Sequence, residues 1–334
     1  MQPTDSDQKP SLWASLRSLS PAQRQALPRL FTKRDRLFFF IFSVAFVLSL
    51  GYAASSLVNR YSVPIPAEGG TLREGIVGIP RFINPLIANS DADRDLSAVI
   101  YTGLLRNDGK GALVPSLADR YEISEDGLVY TFYLRDNLAW SAGAPLTADD
   151  ILFTVSLVKD PNYRSVLRPN WEGVTAEKRD EKTVVFTLAK PYAPFLENVT
   201  MGILPKHLWR DVLAAEFTLS EKNLQPIGAG PYRVASFEKN QTGRIHSYTL
   251  EANPYYVPHP PCVKNLTFVF FTSTSELQDA YTNELVDSLS VPGLSPITAS
   301  SNSQLFSLPL PRIFGVFFNQ NSSKVLAEDA VREA

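Results

Sequence analysis

The chain has 334 residues, of which 44% are hydrophobic, 20% charged and 11% aromatic, so it can bury a full core and is neither a disordered tail nor a collagen-like fibre. Its 25 prolines against 17 glycines favour rigid loops between short elements over a helical bundle. The formal net charge of -2 argues against nucleic acid as the main partner.

The charge is unevenly distributed, because residues 1–36 carry seven basic and three acidic side chains, a balance of +4 that leaves -6 for the rest. Residues 37–58 follow as 22 residues without a charge. As a helix they would extend about 33 Å, enough to cross a membrane. Since basic residues crowd the N-terminal flank, the positive-inside rule predicts that residues 1–36 are cytoplasmic and that everything after Val58 is outside.

Two interpretations of the apolar segment stay open, an uncleaved anchor and a cleaved signal peptide. Residues 37–50 have the length of a signal core, and small residues at 51–55 offer a cleavage site. We favour the anchor because the 36-residue basic region before the segment is unusually long for a signal. Cys262 is the only cysteine and lies far downstream, which disfavours a lipid anchor and excludes an internal disulfide.

Residues 59–70 contain two prolines and end in Gly-Gly, which predicts a short stiff linker before a folded part that starts near Thr71. Beyond it, short strand-like runs alternate with short helical patterns, which is typical of a mixed α/β domain. The predicted strands are 72–79, 129–135, one from 183 that ends at Pro191, two within 231–253 joined by a turn at 240–243, and 265–271; the predicted helices are 93–104, 148–158 and 272–285.

Thr147 precedes the second of these helices as a candidate N-cap, with Asp149 and Asp150 in the first turn. Neighbouring positions on a helix point about 100° apart, so the two carboxylates do not converge on one cleft. We therefore interpret the pair as helix-start residues and not as the acids of a hydrolase.

Eight stretches in a fixed order carry a resemblance. They are GGTLREG (69–75), INPL (83–86), IYTGLL (100–105), 113–135, WSAGAPLTADD (140–150), ILPKHLW (203–209), GAGPY (228–232) and NPYY (253–256). In this order and spacing they resemble the extracytoplasmic solute-binding proteins of peptide ABC importers, family 5, which includes oligopeptide-, dipeptide- and nickel-binding proteins. Ala142 and Ala229 depart from the family's usual residues, whereas the turn glycines Gly143, Gly228 and Gly230 are kept.

The resemblance implies an α/β fold of the periplasmic-binding-protein-like type II, with two lobes and one N-terminal transmembrane helix. We expect the first lobe at 71–285 and the crossover with the start of a second lobe at 286–334. Residues 326–334 have the acidic start of a helix and no closing signal. We therefore expect the second lobe to be incomplete because the sequence is truncated.

The implied function is that of the substrate-binding subunit of an ABC importer, which encloses an extracellular peptide between its lobes and delivers it to a permease. The protein would be a single-pass protein of the cell membrane with its binding domain outside. One alternative is a membrane-anchored peptide sensor or chaperone without a permease. A weaker alternative is a secreted hydrolase, for which no nucleophile, base and orienting group can be named. Peptides are the expected ligand, although relatives also bind nickel chelates, sugars and opines.

The same resemblance suggests ligand contacts. In loop 89–94 the candidates are Ser90, Asp91, Ala92 and Asp93, where the pattern is equally typical of a helix-capping loop. Trp171 would be an aromatic wall or a core residue. Near the crossover and the second lobe the candidates are Ser288, Ser290, Arg312 and Phe314, of which Arg312 would pair with a ligand carboxylate or face solvent.

We predict no catalytic residue, no cofactor and no metal site. His207, His246 and His259 have no partners at zinc-like spacing, and no nucleophile-elbow, Walker or dinucleotide fingerprint is present. Trp140 and Tyr232 are predicted to pack inside the first lobe, with Tyr255 and Tyr256 biased the same way.

Overall fold

A computed structural model describes residues 32–62, 67–257, 260–290 and 304. The chain divides into two compact units, Met1–Pro66 and Ala67–Ala334. The helices are α1 (Lys33–Tyr61), α2 (Asp91–Ile100), α3 (Ala148–Lys159), α4 (Phe195–Asn198), α5 (Lys206–Trp209) and α6 (Thr274–Thr282). The strands are β1 (Gly69–Val77), β2 (Leu105–Asn107), β3 (Leu113–Pro115), β4 (Ala118–Ile123), β5 (Val129–Leu134), β6 (Val174–Asp180), β7 (Thr183–Leu188), β8 (Tyr232–Lys239), β9 (Ile245–Ala252), β10 (Val263–Phe271) and β11 (Ser288–Leu289).

Helix α1 contains the predicted apolar segment and extends beyond it at both ends. Thr32 caps it: the Thr32 hydroxyl accepts the Asp35 amide, and the Asp35 carboxylate accepts the Thr32 amide at 2.9 Å. None of its 29 residues is buried, and its best 18-residue window has a mean hydropathy of 2.2. The helix is long and apolar enough to cross a membrane, which is also true of a signal sequence near an N-terminus.

A five-stranded sheet in the order β11-β1-β10-β9-β8 forms one part of the second unit. Strand β1 runs parallel to β10 on one side and to β11 on the other. Strands β8, β9 and β10 are joined antiparallel, and β8 and β9 form the predicted hairpin. The N-terminal strand of the unit therefore pairs with strands that come near the end of the described chain.

A four-stranded antiparallel sheet in the order β4-β5-β7-β6 forms the other part, with a small β2-β3 pair beside it. Helix α3 packs on β6 and β7 of this sheet. Its start is fixed by the buried Asp150, whose carboxylate accepts the amides of Thr147 and Lys206 at 3.0 and 2.9 Å. Asp150 is therefore a helix-start residue, as the sequence predicts.

Two clusters of buried side chains form the cores of the unit. The larger one includes Trp140, Trp171, Phe132, Phe186 and Tyr248. The smaller one consists of Phe271, Leu277, Ala280 and Val286. In β1, Ile76 packs into the larger cluster and the next residue, Val77, packs against the smaller one, as alternate residues of a strand do. Strand β1 therefore has apolar side chains on both of its faces.

The predicted elements are found with shifted ends. The helix predicted at 93–104 is α2, which starts two residues earlier at Asp91, directly after its Ser90 cap, and ends at Ile100 because Tyr101 is extended (φ −108°, ψ 162°). Strand β7 ends at Leu188, three residues before Pro191. The short strands β2, β3, β4 and β11 and the charged strand β6 are not predicted from the sequence.

Candidate functional site

The loop between β1 and α2 is anchored by the carboxylate of Asp93. Its Oδ1 accepts the amides of Arg81 at 2.6 Å and Phe82 at 2.8 Å, while its Oδ2 accepts the amide of Ser90 at 3.3 Å. Asp93 has no exposed surface. A carboxylate with both oxygens occupied by backbone donors holds the loop in one shape.

The four candidates of loop 89–94 therefore fall into two pairs. Ala92 and Asp93 are buried within the unit, which gives them a structural role instead of the predicted ligand contact. Ser90 and Asp91 are partly exposed at the start of α2. The Ser90 hydroxyl accepts the Asp93 amide at 3.1 Å, and Asp91 pairs with Arg94 at 2.6 Å. Ser90 and Asp91 remain the candidates that this loop offers to a ligand.

A buried pair of asparagines also holds the loop between β1 and α2 in place. Asn84 of the INPL motif donates from Nδ2 to Oδ1 of Asn223 at 3.0 Å and accepts the Leu86 amide at 3.0 Å. Asn223 donates in turn to the carbonyl of Phe217 at 2.7 Å. Asn84 and Asn223 are 0% and 1% exposed, so these bonds satisfy polar groups that water does not reach.

Strand β11 brings Ser288 and Ser290 to the edge of the five-stranded sheet. Ser288 pairs with Glu74 of β1, and the Ser290 amide lies 3.5 Å from the carbonyl of Gly75. Ser290 is exposed and Ser288 half-buried. Because β11 is an edge strand, one side of its backbone has no strand partner among the described residues.

Glu74 connects this edge to helix α2. Burial raises the pKa of the Glu74 carboxyl, and a hydrogen bond with the Ser288 side chain opposes that rise. The negative charge of Asp95 on α2 raises the pKa further. Ser288 and Asp95 therefore act on the same carboxyl group in opposite directions.

Trp171 lies in the core and not in a ligand-facing wall. It is 2% exposed at the end of a 3₁₀ turn, and its ring centroid lies 5.8 Å from that of Phe186 and 6.0 Å from that of Phe195. Of the two interpretations the sequence allowed, the structure supports the core residue. Arg312 and Phe314 lie outside the described residues, so their predicted roles stay predictions.

The glycines of GAGPY have a steric role. A Cβ on Gly230 would lie 2.6 Å from the carbonyl carbon of Ile100 at the end of α2, and the Gly230 amide donates to the Ile100 oxygen at 2.8 Å. Asn253 of NPYY donates to the Gly230 carbonyl at 2.8 Å. The two motifs thus fix the end of α2, the helix whose start carries Ser90 and Asp91.

The predicted aromatic packing holds for two of four residues. Trp140 is fully buried and Tyr232 is 9% exposed, with its hydroxyl donating to the carbonyl of Val263 at 3.0 Å. Tyr255 differs, because it is 47% exposed. The space beside Gly143 is occupied by the Tyr255 hydroxyl, so this tyrosine covers the glycine turn from the surface. Tyr256 is only half-buried.

A surface cavity of about 490 Å³ lies beside the four-stranded sheet, and none of the predicted ligand residues lines it. It is lined by Asp119, Arg120, Leu134, Arg135, Asp136 and Val257. Its charged groups are paired, Arg135 with Asp119 at 3.3 Å and Asp136 with Lys182 at 2.5 Å. Within the described ranges, no three His, Cys, Asp or Glu side chains are grouped as a metal would require.

The comparisons with known proteins identify the family. Residues 112–334 match the bacterial extracellular solute-binding proteins, family 5 Middle. The oligopeptide-binding protein AppA of Bacillus subtilis is 29% identical to this chain over 246 residues. The alignment covers 71% of this chain and 44% of AppA. The structure of AppA in complex with a nonapeptide aligns with a TM-score of 0.61 at 27% identity, over 68% of this chain and 45% of AppA.

Two further solved structures align over similar lengths. The ABC transporter substrate-binding protein CtaP of Listeria monocytogenes gives a TM-score of 0.59 at 32% identity, over 66% of this chain and 44% of that protein. NikZ of Campylobacter jejuni in complex with Ni(L-His) aligns with a TM-score of 0.59 at 29% identity, over 67% of this chain and 43% of NikZ. This chain thus spans less than half the length of each of these three proteins.

These matches agree with the mixed α/β architecture described above. Members of this family are binding proteins and not enzymes. The chain belongs to family 5 of the bacterial extracellular solute-binding proteins and has the periplasmic-binding-protein-like fold of that family.

Proposed function

We propose that this chain is the substrate-binding part of an ABC importer, which captures extracellular peptides and delivers them to a permease. The observation that carries the proposal is the alignment of the described domain with AppA, whose structure contains a nonapeptide. The name of CtaP, an ABC transporter substrate-binding protein, supports the permease as partner.

The geometry at β11 is compatible with a peptide ligand. An extended peptide can be held through its main chain by the free side of an edge strand, and that recognition does not depend on its side chains. Strand β11 has such an edge among the described residues, and it carries Ser288, with Ser290 just after it. In this proposal the second lobe closes over that edge by a hinge motion.

Ligand capture is tested with the protein purified from its native host, followed by mass spectrometry of what co-purifies. A bound peptide mixture, and a rise in Tm on adding peptides of mixed sequence, are the expected results. The proposal would be contradicted if no peptide is retained and if added peptides do not raise Tm. Recovery of a permease in the same complex favours import, whereas recovery of peptides without a permease favours a sensor or chaperone.

We further propose that α1 anchors the protein with its N-terminus in the cytoplasm. The basic residues Lys33, Arg34 and Arg36 lie at the start of the helix, and Arg60 lies in its last turn. The sequence before the helix adds four more basic residues, so the larger positive charge is on the N-terminal side.

Cys262 provides a direct test of this orientation, because it is exposed and is the only cysteine of this chain. A membrane-impermeant maleimide should modify Cys262 in cells whose outer membrane or cell wall has been removed and whose cytoplasmic membrane is intact. As a matched control, Ser18→Cys in a Cys262→Ser background should react only after the membrane is broken. The reverse pattern would contradict the orientation, and a mature protein that begins after residue 50 would show cleavage.

A further inference from the structure

Three Asn-X-Thr tripeptides lie in the described residues, and each matches the acceptor pattern for an N-linked glycan. They are Asn198-Val199-Thr200, Asn240-Gln241-Thr242 and Asn265-Leu266-Thr267. The pattern alone does not separate them, so their structural setting decides which of them a transferase can reach.

Burial and strand pairing remove two of the three. Asn198 is 9% exposed, and its Nδ2 donates to the carbonyl of Asn170 at 2.7 Å. Asn265 lies within β10, paired on one side with Thr71 and on the other with Glu251. An acceptor inside a central strand cannot enter an enzyme's active site without breaking both strand ladders.

Asn240 has the opposite setting, because it lies in the turn between β8 and β9 where residues 238–244 are all exposed. The Thr242 hydroxyl donates to Oδ1 of Asn240 at 2.7 Å, and the Thr242 amide donates to the same oxygen at 3.0 Å. The Nδ2 of Asn240 has no hydrogen-bond partner in the part of the chain that the structure describes. The tripeptide is thus already folded back so that its hydroxyl contacts the side-chain amide and leaves the nitrogen free.

The residue two positions before the asparagine also differs among the three. It is Glu238 before Asn240, but Leu196 before Asn198 and Val263 before Asn265. Glu238 is exposed at the end of β8 and offers a transferase a charged contact next to the acceptor. Exposure, a free nitrogen and the acidic neighbour therefore coincide at one tripeptide.

We propose that Asn240 is the acceptor of an N-linked oligosaccharide, delivered from a polyprenyl-diphosphate carrier by a membrane oligosaccharyltransferase. In the transfer, Nδ2 of Asn240 bonds to the anomeric carbon of the first sugar, whose bond to the diphosphate oxygen breaks. The electron pair leaves with the lipid diphosphate, and the proton that Nδ2 loses is taken up by that released diphosphate. Glycosylation requires residue 240 to lie on the extracytoplasmic side of the membrane, which follows from the orientation proposed for α1.

The position of the hairpin is compatible with ligand binding. Strand β8 is at one edge of the five-stranded sheet and β11 is at the other, four strand positions away. At about 4.8 Å between neighbouring strands, the two edges are about 19 Å apart. A glycan on the hairpin is therefore attached at the sheet edge that does not carry Ser288 and Ser290.

The test is expression of the full-length protein in bacteria that carry an oligosaccharyltransferase and its lipid-linked oligosaccharide, with a known acceptor glycoprotein in the same cells. The tryptic peptide 240–244 should gain the mass of one glycan, while the peptides with Asn198 and Asn265 should not. Asn240→Gln and Thr242→Ala should abolish the gain, Thr242→Ser should retain it, and Glu238→Gln should reduce it at least severalfold.

Three results would overturn the proposal. One is an unmodified Asn240 in cells that modify the known acceptor, and another is a glycan on Asn198 or Asn265 in its place. The third is a reaction of Cys262 only after membrane rupture, which shows that residue 240 never meets the transferase. Peptide capture by the Asn240→Gln variant keeps this outcome separate from the proposed binding function.

Discussion

The carboxylate of Asp287 accepts three hydrogen bonds from Arg73, although 214 residues separate the two. The Arg73 amide donates at 2.9 Å, Nε at 3.1 Å and one terminal nitrogen at 2.8 Å. The Asp287 amide returns a bond to the Arg73 carbonyl at 2.8 Å. This arrangement fixes the start of β11 to β1, next to Ser288 and Ser290.

Asp287→Asn and Arg73→Met should each lower Tm at pH 7, and the double variant should lose less than the sum of the two. Arg73 holds the pKa of Asp287 below its usual range of about 3.8. The stability that the pair adds is therefore present above pH 3.8 and is lost as the pH falls through the lowered pKa. Urea unfolding over this pH range checks the sign. Asp136→Asn, in a pair whose carboxylate is 80% exposed, is the control and should change little.

Asp93→Ala should destabilise the domain by about 3 kcal/mol, because the amides of Arg81, Phe82 and Ser90 lose their acceptor in a buried position. Asp91→Ala, on the same helix turn but partly exposed, should change the free energy of unfolding by no more than about 0.5 kcal/mol. Urea denaturation measures both. If Asp91 contacts a ligand, Asp91→Ala weakens peptide binding while stability is kept; equal destabilisation by both variants would contradict the assigned roles.

Gly230→Ala should cost about 2 kcal/mol, because the added Cβ would lie 2.6 Å from the carbonyl carbon of Ile100 and neither backbone can move freely. Gly109→Ala is the comparison, since Gly109 has a φ of +78° and open space around it. Its cost should be about 1 kcal/mol, from backbone strain alone. Equal costs in thermal unfolding would show that the close approach at Ile100 does not limit this position.

Trp171→Ala should destabilise the domain by about 4 kcal/mol, as truncation of a buried aromatic residue does. Tyr192→Ala, at a residue 47% exposed, should stay within about 0.5 kcal/mol. Binding is then measured at a temperature where the variant is still folded. An unchanged peptide affinity fits the core position, whereas a tenfold loss of affinity with little loss of stability would restore the ligand-facing role.

Glu74→Gln should raise the free energy of unfolding relative to the wild type, and this gain should increase as the pH rises. Burial raises the pKa of Glu74 above its ordinary value of 4.5, so the folded protein holds this proton in a pH range where the unfolded chain has released it. The wild type therefore loses stability from about pH 4.5 upward, and the glutamine variant does not. Comparison of unfolding free energies at pH 5 and pH 7 tests the effect, with the exposed Glu125→Gln as control. A constant difference between wild type and Glu74→Gln would contradict it.

The elements that the sequence predicts are those with a clear period. Strands β5 and β10 and the β8-β9 hairpin alternate apolar residues, and Thr147 and Ser90 begin helices with acids in the first turn. Strand β6 is missed because its residues Val174–Asp180 are largely charged and exposed, and only pairing with β7 makes them a strand. Strand β11 has two residues, too few for any periodicity.

The candidate site is predicted in part. The order of motifs predicts ligand contacts in loop 89–94, but it does not show that Asp93 turns inward while Asp91 stays partly exposed. That difference arises from backbone amides at Arg81 and Phe82, which no side-chain pattern displays. The contacts of Arg73 with Asp287 and of Glu74 with Ser288 are not predicted for a related reason: these residues become neighbours only once β1 and β11 are paired.

Strand β1 lies between β11 and β10 in its sheet, so both of its neighbours are synthesised long after it. Strand β1 is the first strand of the domain to leave the ribosome, yet Thr71 meets Asn265 of β10 across 194 residues of sequence. At 5–20 residues per second, about 10 to 40 s pass before that partner exists. A strand whose neighbours do not yet exist has unpaired backbone groups on both sides and is prone to wrong pairing during this interval. Residues 69–77 therefore stay without their sheet partners until most of the domain has been synthesised.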